Sequence, residues 1–326
     1  MLEDQKDCVL LETSRFDSEN KRSFFFLHPA RIISIRRLEE VPRLFSEIEE
    51  SIGDGFFVAG YFSYECGYHF ENIAPHASLH PSAPLAWFGV YRSPLVFNHE
   101  SGTFEGEQPI IHPAREAHYS LKHCSLKISE HEYRKTIGII KDYIAAGDTY
   151  QMIFTDKYTF DFDGSPTACF AALRERQKVG YGAFINADGK YILSFSPELF
   201  LKIAEGRIVT KPMKGTARRG KYSSEDESIQ RWLQHDEKNR SENLMIVDLL
   251  RNDVGRIAET GSVAATEMFT VEKYESLFQM TSTVKGTLRR SLSFYELFKS
   301  MFPSGSVTGA PKIRTMTSCS ATKETK

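Results

Sequence analysis

With 326 residues, 41% hydrophobic and 26% charged, the chain is long enough for one large domain or two, and disordered and collagen-like classes are excluded. A formal net charge of −2 gives no basis for nucleic acid or an anionic membrane as partner, although a local cluster can still hold a small anion. The opening MLEDQKDCVLLET has acids where a signal peptide needs bases, and no apolar run reaches the length of a membrane span. Five scattered cysteines without a CxxC pair fit a reduced, cytoplasmic protein. His112, His118, His123 and His131 lack the spacing of a zinc site.

Residues 1–97 read as a β-rich region of short strands and turns, with strands in VLLETSRF (9–16), FFVAGYFSYECGY (56–68) and LAWFGVYRS (85–93). The polar stretch 98–120 reads as a connection, and 121–316 as a second region. That region opens with a helix. Ser129 and Glu132 form a capping box, Tyr133, Ile137, Ile140 and Ile144 share a face, and Gly147 stops it. TYQMIFTDKYTF (149–160) alternates as a strand, and YGAFINAD and KYILSF form a hairpin about Asp188-Gly189. RRGKYSSEDES (218–228) reads as an exposed loop, and 317–326 as an atypical polar tail.

Within KPMKGT (211–216), Pro212 and Gly215 bracket Lys214 in a constrained, poorly solvated backbone. Glu198, in SFSPELFLKI, lies across a hairpin turn at AEGR. A three-residue loop, Glu205-Gly206-Arg207, pairs 204 with 208 and sets Glu198 opposite Lys214, with Cβ atoms roughly 4.5–5.5 Å apart. A loop of two or four residues instead faces Met213 to Glu198 and turns Lys214 away. The pair is either an ordinary cross-strand salt bridge or an acid and a nucleophile.

On a helix about 238–251, Lys238, Met245, Ile246 and Leu249 lie within about 40° of Glu242, which places that carboxylate in an apolar stripe. Such a group needs either a cationic partner or a hard metal ion. FPSGSVTGAPKIRTM (302–316) is a Gly-rich loop running into a helix with Pro311 at its first turn. It suits a carboxylate or phosphate, but Ala310 and Pro311 separate Gly309 from Lys312, so it is not a P-loop.

In order and spacing, LLET (10–13), GDTYQ, SFSPELF, KPMKGT, ENLMIVDLLRNDVG and GAPK resemble the chorismate-utilising enzymes, most of all their aminodeoxychorismate synthase component I branch. The resemblance implies an α+β fold of large, mostly antiparallel sheets packed together with outer helices. It implies conversion of chorismate and ammonia to 4-amino-4-deoxychorismate, the precursor of 4-aminobenzoate and folate. The Lys214 amine would attack C2 while Glu198, as general acid, protonates the departing C4 hydroxyl; ammonia then displaces the lysine. Gln151, Gly215, Thr216, Gly305, Thr308, Gly309, Ala310 and Lys312 are the expected substrate-binding residues, and Glu242 a ligand of Mg²⁺. A glutaminase subunit would supply ammonia, and a downstream lyase is a further candidate partner. Leu11, Glu12 and Thr13 resemble an aromatic amino acid site.

Gln151 stands where water-activating relatives carry lysine, which argues against water as nucleophile, and Lys214 stands where anthranilate synthases carry alanine. Gln279 replaces a frequent histidine. The family pattern continues past GAPKIRTM, so the ending TSCSATKETK is expected to be a truncation that removes further Mg²⁺ and substrate ligands. The rival readings are an anthranilate synthase and a non-catalytic remnant that only binds ligand.

Overall fold

The computed structural model describes residues 5–73, 83–106 and 117–323, with side chains described through residue 318. Residues 107–116 of the 98–120 connection, His112 among them, the side chain of Cys319 and residues 324–326 lie outside the described residues. Contacts divide the chain into two units: one gathers Met1–His69, Ser78–Tyr133 and Thr155–Pro197, the other Phe70–Ala77, Arg134–Phe154 and Glu198–Lys326. Residues 155–197, grouped above with the region 121–316, therefore associate with the N-terminal strands. The paired strands run antiparallel and helices pack on them, as an α+β fold requires.

In the first unit, six strands follow the order Lys190–Ser196, Tyr181–Ala187, Cys8–Glu12, Arg22–Phe26, Leu95–Asn98, Thr103–Glu105. Ala86–Tyr91 lies between Arg31–Ile35 and Phe57–Phe62 in a second sheet. Alternation brings Val9, Phe26 and Ile185 of the first sheet against Ala59, Trp87 and Tyr91 of the second. The Asp188-Gly189 turn forms as expected, with φ of 52° and 76° at its two residues. The strand-and-turn expectation misses the helix Val41–Gly53, which buries Val41, Leu44, Phe45 and Ile48 at helical spacing. TYQMIFTDKYTF is not one strand either. Gln151–Met152 pairs in the second unit, and Tyr158–Gly164 pairs with Tyr119–Leu126 in the first.

The second unit is organised by the strand Leu277–Thr287. Arg207–Lys211 and Met213–Arg218 lie end to end along one side of it, and Ala264–Lys273 along the other. The long helix Glu237–Gly255 packs on this sheet through Ile246, Val247, Leu250 and Val254, which meet Ile208 and Val284. Removing each such side chain from water contributes about 1.5–3 kcal/mol. Among the described residues no helix is long and apolar enough to cross a membrane.

The stretch 218–228 is not an exposed loop throughout. A helix, Ser223–His235, begins within it because Asp226 is pulled inward. Its carboxylate accepts from Arg219 and from the Gly220 amide at 2.7 Å, and Lys273 lies 3.0 Å away. Hydrogen bonds from Arg219, acting against burial, hold the carboxyl well below its ordinary value of 3.8, and Lys273 and Gly220 add to this. A carboxyl depressed on folding gives stability that is present above its unfolded pKa and lost as pH falls. Asp226→Asn should therefore lower the denaturation midpoint at pH 7, and the gap from wild type should begin to close only below about pH 3.8 and vanish toward the depressed folded value, measured by denaturant titration at pH 7 and at progressively lower pH.

Candidate active site

The hairpin after Glu198 has a two-residue loop, not three. Ala204 pairs with Arg207 across Glu205-Gly206, whose φ values of 51° and 72° are those of a tight primed turn. Strict alternation from that turn would direct Lys214 away from Glu198. Three irregularities undo it. The register slips between Leu199 and Lys202, the strand is broken at Pro212, and a second slip falls between Met213 and Thr216, where Gly215 has φ of 85°. Lys214 thus sits not in the strand paired with Leu199–Ala204 but in the next segment, paired with Leu277–Thr287.

These breaks bring the two groups together after all. The Glu198 carboxylate accepts from the Ser306 hydroxyl and the Met213 amide, and it feels the Lys214 charge. Lys214 Nζ donates to the Ser306 carbonyl at 3.2 Å. Burial raises the Glu198 carboxyl above its ordinary value against the pull of Ser306, Lys214 and Met213. Burial lowers Lys214 from its ordinary value against the fields of Glu198 and Glu242. Both shifts favour the neutral acid beside the neutral amine, the protonation states in which a carboxyl donates a proton and an amine attacks. Ser306 is the member of this group that the motif reading did not single out. Its signal is its place between Gly305 and Thr308 in the same loop.

That loop folds as a helical turn, Gly305–Thr308, followed by Gly309–Ala310, which pairs with Gln151–Met152. GDTYQ and GAPK are thereby joined. The Ala310 carbonyl accepts from the Tyr150 amide and the Thr149 hydroxyl, both at 2.8 Å, and Ile153 N–H donates to Thr308 O at 3.0 Å. Gly309 N–H donates within the loop to Gly305 O, so this expected ligand donor is already engaged. Gln151 Oε1 is buried without a hydrogen-bond partner, a polar atom aimed at nothing in the protein. Thr216 donates to Gln279 Oε1 at 2.8 Å, and Gly215 passes close to Asn239. Lys312, also expected to bind ligand, lies in a buried ionic cluster. It is 7% exposed, and its Nζ lies 3.4 Å from Glu71 and 3.6 Å from Asp253.

Glu242 lies at the edge of the apolar stripe rather than within it, because the buried face of the long helix runs through Asn243, Ile246, Val247 and Leu250. Its side chain is 37% exposed, 3.9 Å from Lys238. Among the described residues no group of three His, Cys, Asp or Glu is placed to hold a metal. One half-exposed carboxylate fits a Mg²⁺ held mainly by substrate oxygens and water, not an all-protein cage. Leu11, Glu12 and Thr13 belong to the first unit. There Glu12 accepts from Arg174 Nε at 2.6 Å, and buried Thr13 donates its amide to Ser23 Oγ at 3.0 Å.

Relatives of this chain are known. The family described as chorismate binding enzyme matches residues 4–323. The chain belongs to this family. Aminodeoxychorismate synthase component 1 of Klebsiella aerogenes is 34% identical over 269 residues, covering 79% of this chain and 60% of that protein. Anthranilate synthase component 1 of Aquifex aeolicus is 36% identical over 195 residues, covering 60% of this chain and 40% of the relative. The chain thus spans less than two thirds of the length of either relative. The crystal structure of anthranilate synthase component I from Streptococcus pneumoniae superposes with a TM-score of 0.80 at 24% identity, covering 94% of this chain and 78% of that one, and shows the shared fold.

In this chorismate-binding fold the junction of GDTYQ and GAPK rests on Gly309. Its φ is 142°, and an added Cβ would lie 2.2 Å from the Gln151 carbonyl oxygen, a backbone atom that cannot swing aside. Gly309→Ala should destabilise the protein by about 1–3 kcal/mol in denaturant unfolding and loosen the Gln151–Met152 pairing, seen as faster amide exchange there.

Proposed function

We propose that the chain converts chorismate and ammonia to 4-amino-4-deoxychorismate, with Lys214 as nucleophile and Glu198 as general acid. The observation that carries this reading is the Glu198–Lys214 pair itself: two half-buried groups joined through Ser306, with burial moving each toward its neutral form. In the first step the Lys214 nitrogen bonds to C2, the ring double bonds shift, and the C4–O bond breaks. The oxygen leaves as water with the proton from Glu198. Ammonia then bonds to C4, the double bonds shift back, and the C2–N bond breaks to return the lysine. The sum is chorismate plus ammonia giving aminodeoxychorismate plus water. Gln151 has no basic atom to activate water, which disfavours hydroxylation of the ring.

Relatives named as a component 1 support a separate glutamine amidotransferase as the ammonia source, with a downstream lyase as a further partner. Their names also point to 4-aminobenzoate and folate synthesis as the route served, and the composition to the cytoplasm. Glu242 is assigned one ligand position of a bound Mg²⁺, which would neutralise substrate carboxylates; the chain's own contribution is to hold that carboxylate near Lys214. Anthranilate synthases are similar over part of the chain and are the second reading. Lys214, at a position where they carry alanine, favours the first.

Chorismate and ammonia incubated with the wild type should give aminodeoxychorismate and a substrate-derived adduct on Lys214 by mass spectrometry. Lys214→Ala should lose the adduct and most of the product, while Glu198→Gln should lower kcat by about 10²–10⁴-fold. Unchanged product formation by both variants would overturn the reading. The active pair carries one proton in all, so its rate profile is a bell set by two macroscopic steps. Because Glu198 is raised and Lys214 lowered, the acid limb should lie above 4.5 and the basic limb below 10.5, a narrower bell than the ordinary values bound.

A further inference from the structure

The segment 302–311 leaves one helix and enters another, and its two ends meet at a single buried point. Helix Phe294–Met301 ends beside it, and helix Lys312–Lys323 begins after it. Lys312 Nζ donates back to the carbonyl of Ser300 at 3.2 Å, closing the segment on itself. The same ammonium lies between Glu71 at 3.4 Å and Asp253 at 3.6 Å, whose side chains are 10% and 5% exposed. Ser300 Oγ donates to the Asp253 carbonyl at 2.6 Å, so the last turn of the long helix is bound to the same node. Asp253 Oδ2 has no hydrogen bond by geometry; burial works against its charge, and Lys312 and Arg256 supply the compensating positive fields.

What this closure presents is Ser306. Ser306 N–H donates to Ser304 Oγ at 3.3 Å, and the two hydroxyls lie 3.0 Å apart. Thr308 Oγ1 donates to Ser304 O at 3.1 Å, and Val307 N–H to the same carbonyl at 3.1 Å. Ser306 is 8% exposed and meets both reacting groups at once: its hydroxyl reaches the Glu198 carboxylate and its carbonyl takes the Lys214 ammonium. Displacement of this one residue therefore moves the acid and the nucleophile together.

We propose that Lys312, Glu71 and Asp253 form a buried ionic clamp that closes the 302–311 segment and so positions Ser306 against the Glu198–Lys214 pair. Lys312 is then a positioning residue rather than a contact to substrate. Glu71, far away in sequence, acts at the site without touching it. Of the two carboxylates that hold the buried lysine, Glu71 ties it to a distant part of the chain, and its loss removes one ionic contact while Asp253 still balances the ammonium. The kinetic consequence rests on the proposed function above; the clamp itself does not.

The test uses Glu71→Gln, which retains shape and the Lys312–Asp253 pair, in the full chain. Amide hydrogen exchange should quicken about tenfold at Ser306, Val307 and Gly309, while Ile246, Val247 and Leu250 of the long helix keep their protection. Unchanged exchange at those three amides would overturn the clamp whatever the chain's activity. So would faster exchange shared equally by the helix core, since that signals general loosening. In the chorismate and ammonia assay, Glu71→Gln and Ser306→Ala should each lower kcat by about 10–100-fold, with KM changed less than about twofold. The double variant should be no worse than the poorer single one, because both act through one residue. Ser306→Thr, which keeps the hydroxyl, should recover most of the loss. Multiplying single effects in the double variant would refute the link to Ser306. Retention of full rate by Lys214→Ala and Glu198→Gln in the same assay would instead remove the proposed function and leave the exchange result standing.

Discussion

Lys214 depends for its place on the strand Leu277–Thr287 and on the interruption of its neighbour at Pro212. The segments Arg207–Lys211 and Met213–Arg218 share one side of that strand, and the ladder is carried across the gap by Ser282 N–H donating to Pro212 O at 3.3 Å. Proline has no N–H to give, so the paired backbone must break there. A continuous strand would have kept Lys214 in step with a two-residue turn and facing the wrong way. The break, with the slip at Gly215, releases it toward Glu198. The helix Glu237–Gly255 keeps this arrangement rigid by burying Ile246, Leu250 and Val254 on the same sheet.

The electrostatic character of the site follows from that packing. A carboxylate and an ammonium in water would be an ion pair with each group charged at neutral pH. Half-buried under the Gly305–Ala310 loop, each loses hydration, and burial is the largest influence on both. Ser306 and the Met213 amide limit the effect on Glu198 by hydrogen bonding to its charged form. The outcome is a pair whose two members are each moved toward the neutral form relative to water. Asp226, also drawn inward, shows the opposite result: with Arg219 and Lys273 against it, its charge is secured, and it serves the fold alone.

Local features were legible in the sequence wherever a short-range rule operated alone. The Asp188-Gly189 hairpin, the Ser129–Glu132 capping box and the long helix about 238–251 all formed, since turn chemistry, capping and apolar periodicity act within a few residues. The loop length at 205–206 was open in the sequence between two, three and four residues, and the two-residue turn forms with positive φ at both Glu205 and Gly206. The start of helix Ser223–His235 was hidden in a charged run, because what orders it is Asp226 meeting Arg219 and Lys273, and Lys273 is contributed by a distant strand. The expected alternation of 149–160 is not seen, because its strand pieces, Gln151–Met152 and Tyr158–Gly164, pair in two different units, a fact periodicity cannot carry.

By itself the sequence determined the family, the α+β class, and the motif residues Glu198 and Lys214, because ordered motifs and residue chemistry are properties of the chain. Tertiary structure alone decided how those residues meet. The shorter turn and the strand breaks offset one another only in three dimensions, where register is set by the partner strand and not by the turn. It also decided that Lys312 is engaged by Glu71 and Asp253, and that Glu242 sits half in water. Burial and long-range charge pairing depend on what lies across the fold, and residues 241 positions apart in the chain, Glu71 and Lys312, give no local sign that they touch.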